Sequence, residues 1–220
     1  MRAEQLWEAY PRLFHMATAG SWPSIRERGL LSTAALLDLF EVRGAEREAI
    51  ECRRRRESVT IRHPVHGEAC VRDQKPMTDA ALARCVQGIS VAGWLKMLNR
   101  RVYFWPDEGR LRRLLSAKAY GRDEHCVLTL DTQSLVTAYA KSITLSRINS
   151  GALLYVAPAR GPDTFQTIID CPFEDWCRGR SRKTAVAEVA VDYSVPDVAR
   201  HVIQVERRKG QDILETVWSR

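Results

Sequence analysis

No run of apolar residues in this chain approaches the roughly 18 that a membrane-spanning helix needs. The opening residues, MRAEQLWEAYPRLFHM, carry acidic groups and no apolar stretch of signal-peptide length, so no export signal is read there. Both absences set the expectation of a cytoplasmic protein with no membrane partner. No C-x-x-C pair occurs either. Cys52, Cys70, Cys85, Cys126, Cys171 and Cys177 are scattered, and in a chain of this size and compartment they read as free thiols rather than a disulfide framework. There is no P-loop, no H-E-x-x-H, no G-x-S-x-G, and no G-x-G-x-x-G behind a strand. Those gaps remove the commonest nucleotide-hydrolase, zinc-protease, α/β-hydrolase and dinucleotide-fold readings. In HPVHGEAC, a zinc site on His63, His66 and Cys70 lacks a fourth ligand at a usual spacing, so no metal is expected. With no internal repeat and no low-complexity linker, one domain over residues 1–208 is the economical reading, with residues 209–220 as a peripheral tail.

What the chain does have is positive charge. Lys and Arg number 34 against 27 Asp and Glu, a net charge of +7 that favours partners bearing phosphate, whether nucleic acid or dinucleotide. Four arginines stand together in ECRRRRES, Arg53 to Arg56. They read either as a solvated helix face or as a phosphate clamp, since guanidinium forks match phosphate oxygens.

The pattern of elements is α+β. Residues 4 to 10 read as a short helix leading into the strand RLFHM. Ser21 caps a helix with Pro23 in its first turn and Gly29 at its end. Ser32 or Thr33, Thr78 and Ser90 cap three more helices, STAALLDLFEV, TDAALARCVQG and SVAGWLKMLN. GAEREAIECRRRRESV reads as a charged helix, and the segment TIRHPVHGEACVRDQKPM behind it as extended and rich in turns. RRVYFWPD is a strand ended by Pro106, and DEGRLRRLLSAKAYG a helix ended by Gly121. HCVLTLDTQSLVTAY gives a strand and a short helix, KSITLSRIN and ALLYVA give strands about the NSG turn, and residues 161–183 are largely irregular. TAVAEVAVDYSVPDVARHVIQVERR ends the pattern with two strands joined near Pro196. Helices thus gather in the first half and strands in the second, rather than alternating as βαβ units.

Three of these stretches carry a family resemblance. LFHMATAGSWPSIRERGLL resembles the first motif of ADP-ribosyltransferases of the diphtheria-toxin and poly(ADP-ribose) polymerase type, a strand ending in histidine followed by a short helix ending in Gly-Leu. RVYFWPDEGRLRRLL resembles their second motif, an aromatic strand with a tyrosine, and AVAEVAVDYSVPDVARHVIQVE their third, a late strand with a glutamate. The third is close to the DarT-type toxins that modify single-stranded DNA, and Arg53 to Arg56 echo the arginine-rich segment of that group. One departure is that Met16 and Ala17 stand where the family has Gly or Thr behind its histidine. The resemblance implies a split β-sandwich with N-terminal helices, NAD as co-substrate, no metal, and mono-ADP-ribosyl transfer to an acceptor, here single-stranded DNA or RNA. An antitoxin partner would go with a toxin. It implies Glu188 as the catalytic carboxylate, His15 and Tyr103 as NAD contacts, and the arginine run as phosphate contacts, with Arg53 and Arg54 toward NAD and Arg55 and Arg56 toward the acceptor; Asn149 and Ser150 are candidates toward the acceptor from their own side chains. Two alternatives stay open: a non-enzymatic nucleic-acid-binding module that keeps the fold, and a transferase acting on protein or a small molecule.

The residues support this chemistry in their own right. Cleaving a nicotinamide N-glycosidic bond develops positive charge on the ribose, which a nearby carboxylate stabilises. Glu188 is the lone acid in AVAEVAV, where a carboxylate needs either solvent, on the open face of an edge strand, or a partner and a purpose. Its apolar company favours the second. Tyr103 offers a flat ring and a hydroxyl, for stacking or for ordinary strand packing. His15 offers two ring nitrogens to a ribose hydroxyl, or a place in the core. SRINSGALLY reads as a tight hairpin or as a loop on the substrate side, with Gly151 permitting close backbone approach.

Overall fold

The computed structural model describes residues 1–153 and 158–220. The chain starts with helix α1 (Ala3–Ala9), strand β1 (Arg12–Thr18), helix α2 (Trp22–Arg28), the two-residue strand β2 (Leu30–Leu31), and helices α3 (Thr33–Leu39) and α4 (Gly44–Glu51). A hairpin of β3 (Val59–His63) and β4 (Gly67–Val71) leads to α5 (Asp79–Cys85), α6 (Val91–Asn99), β5 (Arg101–Phe104) and α7 (Glu108–Leu115). Then come β6 (Glu124–Asp131), α8 (Thr132–Tyr139), β7 (Ile143–Ser146), β8 (Gln166–Thr167), α9 (Phe173–Cys177) and α10 (Arg182–Ala185). Strands β9 (Glu188–Asp192), β10 (Ser194–Val195), β11 (Val202–Lys209) and β12 (Asp212–Ser219) complete the chain.

Two antiparallel four-stranded sheets form the α+β framework, in the orders β1-β6-β11-β12 and β5-β9-β7-β8. Their inner faces meet in one core. Leu13, Leu128, Leu130, Val202 and Val205 from the first sheet pack with Val102, Phe104, Ile143, Leu145, Val189 and Val191 from the second. The alternation along each strand produces this face, since every second residue points the same way. Helix α7 covers the outer face of the first sheet, setting Leu111 and Leu115 on Met16 and Val127. Helices α5 and α6 cover the outer face of the second through Leu82, Trp94, Leu95 and Leu98. A third cluster joins α3 and α4 to the β3–β4 hairpin through Leu37, Phe40, Ile50, Ile61 and Val71.

Three of the caps read from the sequence are made as expected, and the Ser21 cap is not: the side chain accepts no amide of α2, and its hydroxyl donates back to the Thr18 carbonyl at 2.7 Å instead. Ser32, Thr78 and Ser90 accept hydrogen bonds from the amides of Ala35, Ala81 and Gly93. Gly29 ends α2 at φ +81°, and a Cβ there would stand 2.4 Å from the Pro196 Cα, so only glycine lets α2 end against the backbone behind β10.

Three further expectations are corrected. Helix α4 stops at Glu51 instead of running through the arginines. Residues 53–58 are irregular because the chain turns Arg55 inward there, as described below. Helix α7 stops at Leu115, well short of Gly121. The stretch past Arg208 is not a peripheral tail: it forms β12, the outer strand of the first sheet, and its Trp218 packs on Trp22 at 5.6 Å. The strand expected at ALLYVA lies, from Leu154 on, outside the described residues. No helix among the described residues is long and apolar enough to cross a membrane.

Candidate active site

The two sheets touch edge to edge at one point. Phe14 and Trp105 exchange backbone hydrogen bonds of 2.9 Å in both directions, forming an isolated antiparallel bridge between β1 and the end of β5. Past that bridge the strands part. The Tyr103 carbonyl, left without a strand partner on that side, is met instead by the imidazole Nδ1 of His15 at 2.8 Å. Backbone polar groups freed in this way need a partner, and that need explains a histidine at this place. The His15 ring leans on Phe104 at 5.7 Å between centroids. Burial first, and then the positive charge of Arg72, lower its pKa to about 4, so the ring is neutral at neutral pH.

Glu188 opens β9, which lies between β5 and β7 and is not an edge strand. Only 5% of the residue is exposed. Its Oε2 accepts the Ser150 amide at 3.0 Å, and the Ser150 hydroxyl lies within hydrogen-bonding reach of both the carboxylate and the Tyr103 phenol. Tyr103 also donates to the Leu98 carbonyl at 3.2 Å. Burial dominates both groups. It raises the Glu188 carboxyl to about 7, against the opposing pull of Ser150, Arg160 and Arg110, and it raises the Tyr103 phenol well above its usual value.

The approach to Glu188 is braced from several sides. Tyr10 accepts the Val186 amide at 3.0 Å and donates to the Arg182 carbonyl, and the Ala187 amide bonds the Ser146 carbonyl at 2.7 Å. Ser150 is held by Arg160, a guanidinium only 2% exposed. Arg160 donates to the carbonyls of Asn149, Ser150, Ala152 and Pro158, at 2.9, 3.4, 2.7 and 2.6 Å. Ser146 and Ser150, the buried residues of the turn at 146–151, therefore support the carboxylate from inside. Ser150 is 1% exposed and belongs beside Glu188, not on an acceptor-facing loop, while Asn149 is exposed.

The arginine run is corrected most. Arg55, expected to face the acceptor, is 8% exposed and donates to the carbonyls of Ile50 and Arg72 and to Asn99 Oδ1, at 2.6, 2.9 and 3.0 Å. A buried guanidinium whose Nε and Nη1 are taken by these oxygens is turned away from a phosphate at the surface. Arg54 and Arg56 both pair with Asp79, each at 3.1 Å. Arg53 is exposed. Substituting Arg55 by Met is expected to lower stability by about 3 kcal/mol, because two carbonyls and an amide oxygen lose their donor. Arg53→Gln and Arg56→Gln, at the surface, should leave the melt nearly unchanged. Thermal melts of the three variants check this.

Positive charge reaches Glu188 from elsewhere. Arg110 of α7 donates to the Thr184 carbonyl at 3.4 Å, and its Nε is buried without a hydrogen-bond partner among the described residues. Its pKa is lowered, by burial first and then by Arg113 and Arg180. Arg180 donates to the Arg147 carbonyl at 3.1 Å, and both of these arginines are exposed. Sequence reasoning missed Arg72, Arg110 and Arg160, which stand in ordinary-looking helix and loop contexts.

The fold and site thus define an α+β protein with a buried carboxylate, hydroxyl and phenol grouped where two antiparallel sheets divide. The chain belongs to DUF7002, a family of unknown function, which matches residues 11–202. No curated protein and no solved structure matches it.

Proposed function

We propose that this chain is an NAD-dependent mono-ADP-ribosyltransferase with the split β-sandwich of that class, and that its acceptor is single-stranded nucleic acid. The observation that carries the reading is the grouping of the three motif residues. His15 bonds the Tyr103 peptide, and Ser150 links Tyr103 to the buried Glu188. In the reaction the N-glycosidic bond of NAD breaks, and its electron pair leaves with nicotinamide. The ribose C1′ becomes electron-deficient, and an acceptor nitrogen or oxygen bonds to it as it loses its proton. The ionised Glu188 carboxylate stabilises the cationic ribose, in a recess that strengthens the attraction by excluding water. The Tyr103 ring supplies a flat apolar surface for nicotinamide. Neutral His15 keeps one nitrogen on the Tyr103 carbonyl and has the other for a ribose hydroxyl.

The acceptor follows from charge and access. Arg110 puts positive charge beside Glu188, and exposed Arg180, whose charge acts on Arg110 and whose side chain bonds the Arg147 carbonyl, extends it toward the surface, on a chain of net charge +7. A base must leave its stack to reach a carboxylate buried this deeply, which favours single strands. The test is label transfer from adenine-labelled NAD to a single-stranded oligonucleotide. Label on the oligonucleotide that resists protease is the expected result. Its incorporation should fall steeply with salt and depend on Arg147 and Arg180 rather than Arg53 and Arg56. Label found only on protein would overturn the acceptor.

A further inference from the structure

Helix α10 ends two residues before Glu188, and its end is built with a residue from the far end of the chain. The backbone leaves the helix at Val186 in extended conformation, φ −89° and ψ 126°, and β9 opens with Glu188. The Arg182 carbonyl and the Val186 amide stand four residues apart, the spacing of the bond that closes a turn of α-helix. Here the Tyr10 hydroxyl lies between them. It accepts the Val186 amide at 3.0 Å and donates to the Arg182 carbonyl. A side chain set into the i→i−4 ladder turns the chain off its helical course. This one does so where α10 gives way to the strand of Glu188.

The parts around the hydroxyl are fixed. Tyr10 ends α1 with its amide on the Leu6 carbonyl at 2.9 Å, and the Pro11 carbonyl beside it takes the Thr132 amide at 3.3 Å. Tyr10 is buried, and that burial raises its phenol to about 12, so it has a proton to give. Arg182 pairs with Glu174 at 2.7 Å and lies over the Phe173 ring, 5.2 Å from the centroid. Ala185, Val186 and Ala187 are all buried. Close-packed residues transmit a shift instead of absorbing it, so a movement at Val186 reaches Glu188.

We infer that Tyr10 is a positioning residue for the reaction: its hydroxyl holds Val186 off Arg182 and so sets where the Glu188 carboxylate stands. This rests on the transferase reading above. Without the hydroxyl, the amide and the carbonyl can meet each other in an ordinary helical bond of about 2.9 Å. That closure satisfies both buried groups, so the fold loses little. It also draws Val186 toward Arg182 by the room one oxygen takes, and the carboxylate moves with it. A misplacement of about 1 Å costs on the order of a hundredfold in rate.

The experiment measures nicotinamide release from NAD, and melting curves, for wild type, Tyr10→Phe, Glu188→Gln and the double variant. Tyr10→Phe should lower kcat about a hundredfold, leave KM for NAD near its wild-type value, and keep the melt within about 4 °C of wild type. Because Tyr10 acts through Glu188, the phenylalanine should cost little further in the Glu188→Gln background, a non-additivity that a merely structural role would not give. A wild-type kcat in Tyr10→Phe, a raised KM with kcat kept, a melt lowered by more than about 4 °C, or a loss repeated in full in the double variant would each overturn the inference. In all four cases nicotinamide release by wild type leaves the transferase reading standing. If folded wild type releases none, both fail.

Discussion

Glu188→Gln is expected to lower nicotinamide release by about 10²–10³-fold and, above pH 7, to raise the melting temperature. The two effects have one cause. Unfolded, this carboxyl titrates near 4.5; folded, burial moves it to about 7. Between those values the folded chain holds a proton that the unfolded chain has released. Stability therefore falls as pH rises through the window and stays reduced above it. At about 1.4 kcal/mol per pH unit and about 2–4 °C per kcal/mol for a chain of this size, the neutral variant should melt several degrees higher at pH 8. The two proteins should converge near pH 4.5. Activity has the opposite dependence. It needs the ionised carboxylate, so wild-type rate should climb with pH and level off above about 7. Melting curves and initial rates across this range check both. Equal melting at all pH values would mean that the carboxylate is not buried in the folded chain.

Arg160→Met is the second large expected effect. The side chain serves four carbonyls from a nearly sealed position, and its charge lowers the Glu188 pKa. Removing a buried charge that others depend on costs about 3–5 kcal/mol, a fall on the order of 10 °C. The rate profile should also move to higher pH, because Glu188 loses a nearby positive charge. Since Ser150 hangs on the same turn, nicotinamide release should fall further than the ionisation change alone explains. A lower melt with an unmoved pH profile would make Arg160 a scaffold residue only.

How much of this was legible beforehand depends on the residue. Strands and caps with strong local signatures were readable: β1, β5, β9 and the Ser32, Thr78 and Ser90 caps follow from alternation and side-chain chemistry within a few residues. Glu188 stood out because an acid in an apolar run is locally costly. The arginines were not readable, because identical residues in one run separate by burial. Arg55 finds its partners at Ile50, Arg72 and Asn99, up to 44 positions away, while Arg56 meets Asp79 at the surface. Ser150 read as a turn residue, since its bond to Glu188 spans 38 positions. The residues past Arg208 looked peripheral because β12 is exposed along most of its length, yet its backbone pairs with β11.

The central claim is that this chain breaks the glycosidic bond of NAD at Glu188. Release of labelled nicotinamide from NAD tests it most directly, with purified wild type and Glu188→Gln, each with and without a single-stranded oligonucleotide. The account predicts release by wild type, more of it with the oligonucleotide, and a variant at least about a hundredfold slower. A folded wild-type chain that releases no more nicotinamide than Glu188→Gln, with or without the oligonucleotide, would contradict it.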